Sequence, residues 1–424
     1  MAPRYKFNRL EFAGSLGDLG TLLPLAIGMI MVCGLHPSGL FFAVGFSYLF
    51  AGFYYGIPVP IQPMKVIGAY AVAMGLSASQ VVASGALMGL FLLIIGVTGA
   101  VTLIGRFTPK SVIRGVQLST GTVLLVQGVR FILGISSFQI LQGNAEPYLR
   151  LQTLGPIPFG TVIGIIGAIL TLLFLDSRRL PAGLLVVSGG LVVGLIFGTY
   201  EGFSHFRLGL YFPPVLPYGM TTKVDISFAL LVLVLPQIPM TLGNAVIANA
   251  DLSREYFGED SERVTHRALC ISQALANFLS YIVGGMPLCH GAGGLAAQYR
   301  FGARTAGANI MIGSVFLILA LFLGKHSLAL IYLLPLSVLG VLLIFAGAQL
   351  ALTIIDLREK KELFLALAML GITLATNLAA GFIVGFSLAY AFKSNWVAGG
   401  FSPPAPTPPS MRVRTRRFPK NIEP

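Results

Sequence analysis

The chain predicts an all-α integral membrane protein with about fourteen transmembrane segments. Three observations carry that expectation. Hydrophobic residues make up 55% of the 424 residues and charged residues 10%, against roughly 25% charged in soluble domains; mean hydropathy is +0.85. Apolar runs of about 20 residues, enough to cross a bilayer, recur as far as Lys393. The basic residues are also sorted. With the N-terminus placed in the cytoplasm, only Arg150, Arg207, Lys223 and Lys325 of the 28 lysines and arginines fall in outside loops. Lys65 and Arg130 lie in or near the membrane, and the rest fall in inside loops or the tail. That bias fits an even number of crossings with both termini cytoplasmic. It also accounts for the net charge of +13 without any nucleic-acid partner.

Hydropathy and punctuation place the segments at 16–33, 39–56, 62–76, 80–104, 111–134, 158–175, 181–199, 226–249, 266–283, 289–300, 306–324, 327–349, 361–377 and 379–393. The first is too long for the apolar region of a signal peptide and carries Asp18. The third and tenth are too short to cross alone, so each needs the extended stretch before it. The loop 251–267 mixes acids and bases and reads as a solvated loop or an interfacial helix. Ser402–Ser410 is Pro-rich; the tail around it is expected to be disordered, with its basic end near anionic headgroups and no soluble domain after it. Cys33, Cys270 and Cys289 are too scattered for a disulfide framework or a metal set, and no nucleophile–base pair emerges. No metal, no cofactor and no enzymatic activity are expected.

Two distant stretches share one design. Gly56-Ile-Pro-Val-Pro-Ile-Gln-Pro-Met-Lys65 and Gly284-Gly-Met-Pro-Leu-Cys-His-Gly-Ala-Gly-Gly294 each set Pro, Gly and polar residues in an apolar context, then run into a small-residue helix. Pro58 and Pro60 favour extended chain, and Pro63 suits a first helical turn. A broken membrane helix of this kind aims unpaired N–H groups, and about half a positive charge, at a polar ligand. Glycines 291, 293 and 294 allow an anion close to the backbone. The two stretches lie 227 positions apart (Pro60 to Pro287). Each follows a helix rich in Pro, Gly and polar residues, which is the layout of two inverted seven-segment repeats with a site between them.

Lys65 is a costly cation in a membrane segment and the sharpest candidate for contact with an anion; snorkelling or a structural ion pair is the other reading. Gln62 points from the same turn. His290 is either a donor and pH-responsive group or a satisfied structural histidine, and Cys289 beside it reads as a packing residue. Asp18 is either a proton-coupling carboxylate or a partner for Lys65. Gln237, Thr241 and Asn244 share one helix face, and with Asn249 they supply neutral donors suited to an anion or to interhelical bonds. Arg300 and Arg304 mark topology, with a cytoplasmic gate as the alternative.

At these residues the chain resembles the molybdate transporter branch of the sulfate permease (SulP) superfamily. The resemblance rests on GSLGDLGTLLPL, PVPIQPMK, GNAVIANADL and, most specifically, PLCHGAGGLAAQYRFGARTAG, and it extends over about residues 8–393. It implies two inverted seven-segment repeats. It divides the chain into a cytoplasmic N-terminus (1–10), a core domain (11–104 and 226–324), a gate domain (105–225 and 325–395) and the tail (396–424). The implied substrate site comprises Gln62, Pro63, Met64, Lys65, Thr241, Asn244, Cys289, His290, Gly291, Ala292, Gly293 and Gly294, with Asp18 the proton-coupling candidate. The implied activity is secondary active transport of a tetrahedral oxyanion, molybdate first, by elevator-type alternating access with proton coupling. Alternatives are a sulfate transporter, then a nucleobase permease of the same fold, disfavoured by Asn244 where an acid is expected, then an anion channel. Expected partners are a small inorganic oxyanion and membrane lipid, with a homodimer as one option for the assembly. The expected location is the cell membrane.

Overall fold

In hydrocarbon every backbone N–H and C=O has to be satisfied inside the protein, and the chain meets that demand with helices. The computed structural model describes residues 5–101, 109–175, 177, 182–201, 203 and 207–393. The predicted tail and the predicted inside-loop residues Arg106, Arg178 and Arg179 lie outside the described residues. Among the described residues six helices are long and apolar enough to cross a membrane, or seven if one bent pair counts as a span.

In chain order the elements that matter here begin with α1 (Arg9–Ser15), α2 (Leu19–Met31) and α3 (Pro37–Tyr55). There follow β1 (Gln62–Pro63), α4 (Lys65–Met74), α5 (Ala78–Thr98), α6 (Lys110–Leu133), α7 (Ser137–Gln142), α8 (Phe159–Phe174) and α9 (Ala182–Phe197). A single helical stretch, α10, runs Lys223–Ser261. Beyond it lie α11 (His266–Val283), β2 (Leu288–Cys289), α12 (Ala292–Phe301), α13 (Gly307–Ile318), α14 (Leu336–Ala351), α15 (Lys360–Ala375) and α16 (Leu378–Lys393). The main packing pairs are α3 with α13, α5 with α11, α6 with α14, and α15 with α16.

Membrane helices associate without a hydrophobic drive between them, so close backbone approach matters. Here glycines meet reciprocally. A methyl group on Gly121 would lie 2.5 Å from the Gly347 carbonyl oxygen, and one on Gly347 would lie 2.6 Å from the Gly121 oxygen. Gly128 and Gly340 repeat the arrangement at 2.5 and 2.6 Å two turns away, running antiparallel. Gly45 of α3 and Gly313 of α13 do the same at 2.8 and 2.9 Å.

The first predicted segment, 16–33, differs from a single straight span. It breaks between Ser15 and Leu19, and α1 and α2 meet at a 42° bend. The reason is close packing on the far end of α12. A methyl on Gly14 would lie 2.1 Å from the Ala303 nitrogen, and one on Gly17 would lie 2.8 Å from the Ala297 oxygen. The break leaves Asp18 in the interior, 1% exposed. The eighth segment is a much longer helix than its predicted span. It carries Pro236 and Pro239 between two π-helical stretches, Ala229–Val234 and Thr241–Ile247. Prolines withdraw backbone donors, and the wider turns take up the slack and re-aim side chains.

At the far end of α6 a buried carboxylate does a capping job. Glu146 accepts from the Leu336 and Ser337 N–H groups, both at 2.8 Å, closing the start of α14.

Gly128→Val should destabilise the protein by about 1–3 kcal/mol through overpacking against α14. Thermal unfolding in detergent checks this, with Gly189→Ala, whose added methyl meets nothing within 4 Å, as the matched control.

Candidate anion site at two crossed broken helices

The two interrupted stretches meet. β1 and β2 pair antiparallel, with Gln62 opposite Cys289 and Pro63 opposite Leu288. The Met64 N–H donates to the Pro287 oxygen at 2.9 Å. Extended chain at this depth exposes peptide groups that no helix can pair, and amide side chains from the surrounding helices satisfy them. Asn277 accepts from the Leu288 N–H at 3.0 Å and donates to its oxygen at 2.7 Å, acting as a third strand. Asn309 donates to the Val59 oxygen and Asn249 to the His290 oxygen, each at 2.7 Å. Ser280 donates to the Met286 oxygen at 2.5 Å.

His290 belongs to this scaffold. Its Nε2 lies 2.8 Å from the Ser272 hydroxyl and its Nδ1 lies 3.0 Å from the Pro60 oxygen, so both ring nitrogens are engaged. Its residue is 2% exposed. The Cys289 thiol is turned to the Pro63 oxygen at 3.6 Å. The structure therefore places His290 and Cys289 behind the crossing as its supports. Pro63 and Met64 are buried within it as well.

The two helix ends are unequal. At α4 the Val66 and Ile67 N–H groups donate to Gln237 Oε1 at 2.9 and 3.2 Å. Gln237 is held in turn by donating from Nε2 to the Thr241 hydroxyl at 2.9 Å. The expectation that an anion caps this turn is thus replaced by a side-chain cap from α10, and Thr241 orients that cap. At α12 the Gly294 N–H returns to the Gly291 oxygen at 3.0 Å. Among the described residues, the Ala292 and Gly293 N–H groups donate to no other group.

The three glycines of that turn have different duties. A methyl on Gly291 would lie 2.0 Å from Gln62 Oε1 and 3.3 Å from Asn244 Nδ2. One on Gly294 would lie 2.6 Å from Asp18 Oδ2 and 2.7 Å from Gln62 Nε2. Gly293 alone opens outward, and the nearest group to its missing side chain is Lys65 Nζ at 3.7 Å. Lys65 makes no hydrogen bond or ion pair among the described residues. Its expected alternative, an ion pair with Asp18, is absent there. Asp18 instead accepts from Gln62 Nε2, and Asp18 Oδ2 and Gln62 Oε1 are left buried without a partner.

Lys65 and Gly293 open on a cavity of about 310 Å³ that is also lined by Thr21, Arg300, Phe345 and Gln349. A helix end contributes about half a positive charge and the ammonium a full one, which together go far toward matching a dianion. Sequence reasoning missed Thr21 and Gln349. It also missed Asn277 and Asn309, since an isolated polar residue in an apolar helix gives no sign of what it faces. Asn244 faces Gly291 of that turn and lines a separate recess. Among the described residues no group of three His, Cys, Asp or Glu could hold a metal ion.

A fold of apolar helices around a crossing of two broken ones, with Lys65 beside an uncapped helix end, is that of an integral, multi-pass membrane transporter of anions. The sequence profile described as "Molybdate transporter of MFS superfamily" matches residues 10–124 and 229–350. Molybdate transporter 2 of Arabidopsis thaliana is 31% identical over 90% of this chain and 87% of its own length. Molybdate transporter 1 of the same plant is 28% identical over the same shares. The chain belongs to the molybdate transporter family, whose members are transporters and not enzymes. Its fold is that of the transmembrane domain of the cyanobacterial bicarbonate transporter BicA, with a TM-score of 0.62 at 16% identity over 91% of this chain and 98% of that one. The murine anion transporter Slc26a9 in its inward-facing state gives 0.64 at 15% identity over 93% and 70%.

Gln237→Leu should strand the Val66 and Ile67 N–H groups and lower stability by about 1–3 kcal/mol for each group left unpaired. Thermal unfolding of the purified protein measures it, and Gln237→Glu, which keeps an acceptor, should lose less.

Proposed function

We propose that this protein is a secondary transporter that carries molybdate across the cell membrane. The observation that carries the reading is the placement of Lys65 Nζ beside Gly293, at a helix N-terminus with undonated N–H groups, on the wall of a cavity of about 310 Å³. Relatives named as molybdate transporters, aligned over 90% of the chain, support the choice of anion. In this reading the oxyanion is held by the Ala292 and Gly293 N–H groups and by Lys65. Gln62, Pro63, Met64, Cys289, His290, Gly291 and Gly294 form the rigid crossing behind it. Thr241 acts through the Gln237 cap, and Asn244 faces Gly291 of the turn.

The wider architecture follows the same proposal. Fourteen spans form two inverted seven-segment repeats, a relation supported by the antiparallel pairing of the two interrupted stretches, one from each half. Residues 11–104 and 226–324 form the core, and 105–225 and 325–395 form the gate. The core carries the anion past the gate in an elevator-type movement, with both termini cytoplasmic, in contact with membrane lipid and as a homodimer. Asp18, buried and half-partnered beside Gln62, is the group that takes up a coupled proton.

Uptake of labelled molybdate into proteoliposomes, with sulfate as competitor, tests the function; saturable uptake resisting excess sulfate is expected, and absence of saturable uptake of either anion rejects it. Lys65→Ala should raise the KM for molybdate about tenfold, the worth of one charge-assisted hydrogen bond, while leaving thermal stability near wild type. Asp18→Asn should flatten the dependence of uptake on an imposed pH gradient. An unchanged response would remove Asp18 from proton coupling.

A further inference from the structure

A second polar recess, separate from the Lys65 cavity, reaches the Gly291 turn through Asn244. It holds about 210 Å³ between α6 and α10, and its walls include Lys110, Arg114, Gln117, Met240 and Asn244. At about 30 Å³ per water that is room for roughly seven waters, or for a tetrahedral oxyanion with part of its hydration shell. Among the described residues no acidic one lines it. Its donors are underused in a way that points to a missing acceptor. Arg114 Nε is buried without a partner. The Asn244 side chain makes no hydrogen bond among the described residues. Gln117 is fixed by accepting from Arg114 Nη1 at 2.8 Å and from the Thr353 hydroxyl at 2.9 Å, so it holds the guanidinium in place. Asp356, outside the recess, pairs with Arg114 Nη2. Its backbone oxygen accepts from Lys110 Nζ at 3.1 Å.

We propose that this recess is a second oxyanion site, in which Arg114 Nε, Lys110 and the Asn244 amide hold a tetrahedral dianion one step away from the Lys65 site. Asn244 stands between the two sites, with Nδ2 3.3 Å from the position of a Gly291 side chain. The Arg114–Asp356 pair tunes the recess. The carboxylate draws charge from the guanidinium and keeps the site weaker than the central one. The proposal rests on the oxyanion reading of the central site, and the two can fail separately.

The test is equilibrium binding of molybdate to the purified full chain in phosphatidylcholine nanodiscs. Wild type should bind in two steps. Lys65→Ala should remove the tighter step and spare the weaker, whereas Arg114→Gln should weaken the weaker step about tenfold, and Lys110→Ala should weaken it less. Asp356→Asn should act in the opposite direction and strengthen the weaker step several-fold, because it releases Arg114. If the ion pair were only structural, Arg114→Gln and Asp356→Asn would change binding alike, and that result overturns the proposal. A single-step isotherm, unchanged in Arg114→Gln, overturns it too. Loss of the second step only in phosphatidylglycerol nanodiscs assigns the recess to a lipid headgroup and overturns it as a site for free anion. A tighter step left unchanged in Lys65→Ala, beside a weaker step that responds to Arg114→Gln, would sink the central reading and leave the recess standing.

Discussion

The short antiparallel pairing of Gln62–Pro63 with Leu288–Cys289 is the constraint on which the rest of the structure depends. Extended chain at membrane depth is tolerated only when its peptide groups are satisfied by protein. The molecule meets that condition with a set of buried amides, Asn249, Asn277 and Asn309, with Ser280, and with both nitrogens of His290. Once these bonds are made, two helix ends are presented at one place with little freedom in their relative position. Everything proposed about anion recognition follows from that arrangement.

The same constraint makes the site unsymmetrical. Two related interrupted helices would be expected to offer equivalent ends, yet one is closed by Gln237 and the other is left open beside Lys65. The difference comes from α10, where two prolines and flanking π turns direct Gln237 to the start of α4. A helix end already capped by a neutral amide has little left for an anion, so the positive potential is concentrated at Gly293.

Much of this was legible in the amino-acid sequence. Membrane residence follows from composition, and the interrupted helices from Pro and Gly set among apolar residues. Lys65 stood out because cations at such positions are costly. The limits were of two kinds. Polar residues in apolar helices, such as Gln237, Thr241 and Asn249, were read as donors for an anion or for interhelical bonds, and the structure spends these three on capping and on backbone groups. Nothing in spacing along one helix says which neighbour a side chain meets. The break at Gly14–Asp18 was likewise hidden, because its cause is close contact with Ala297 and Ala303, nearly three hundred residues away.

The bonded crossing has a thermodynamic consequence. A cradle whose two sides are stitched to each other has one shape to offer, whichever compartment it faces. A carrier built on it would hold its cargo with the same intrinsic grip at the start and the end of each trip. Net direction would then come from outside the cradle, from the concentrations on either side or from a companion ion, and reversing those would run the machine backwards.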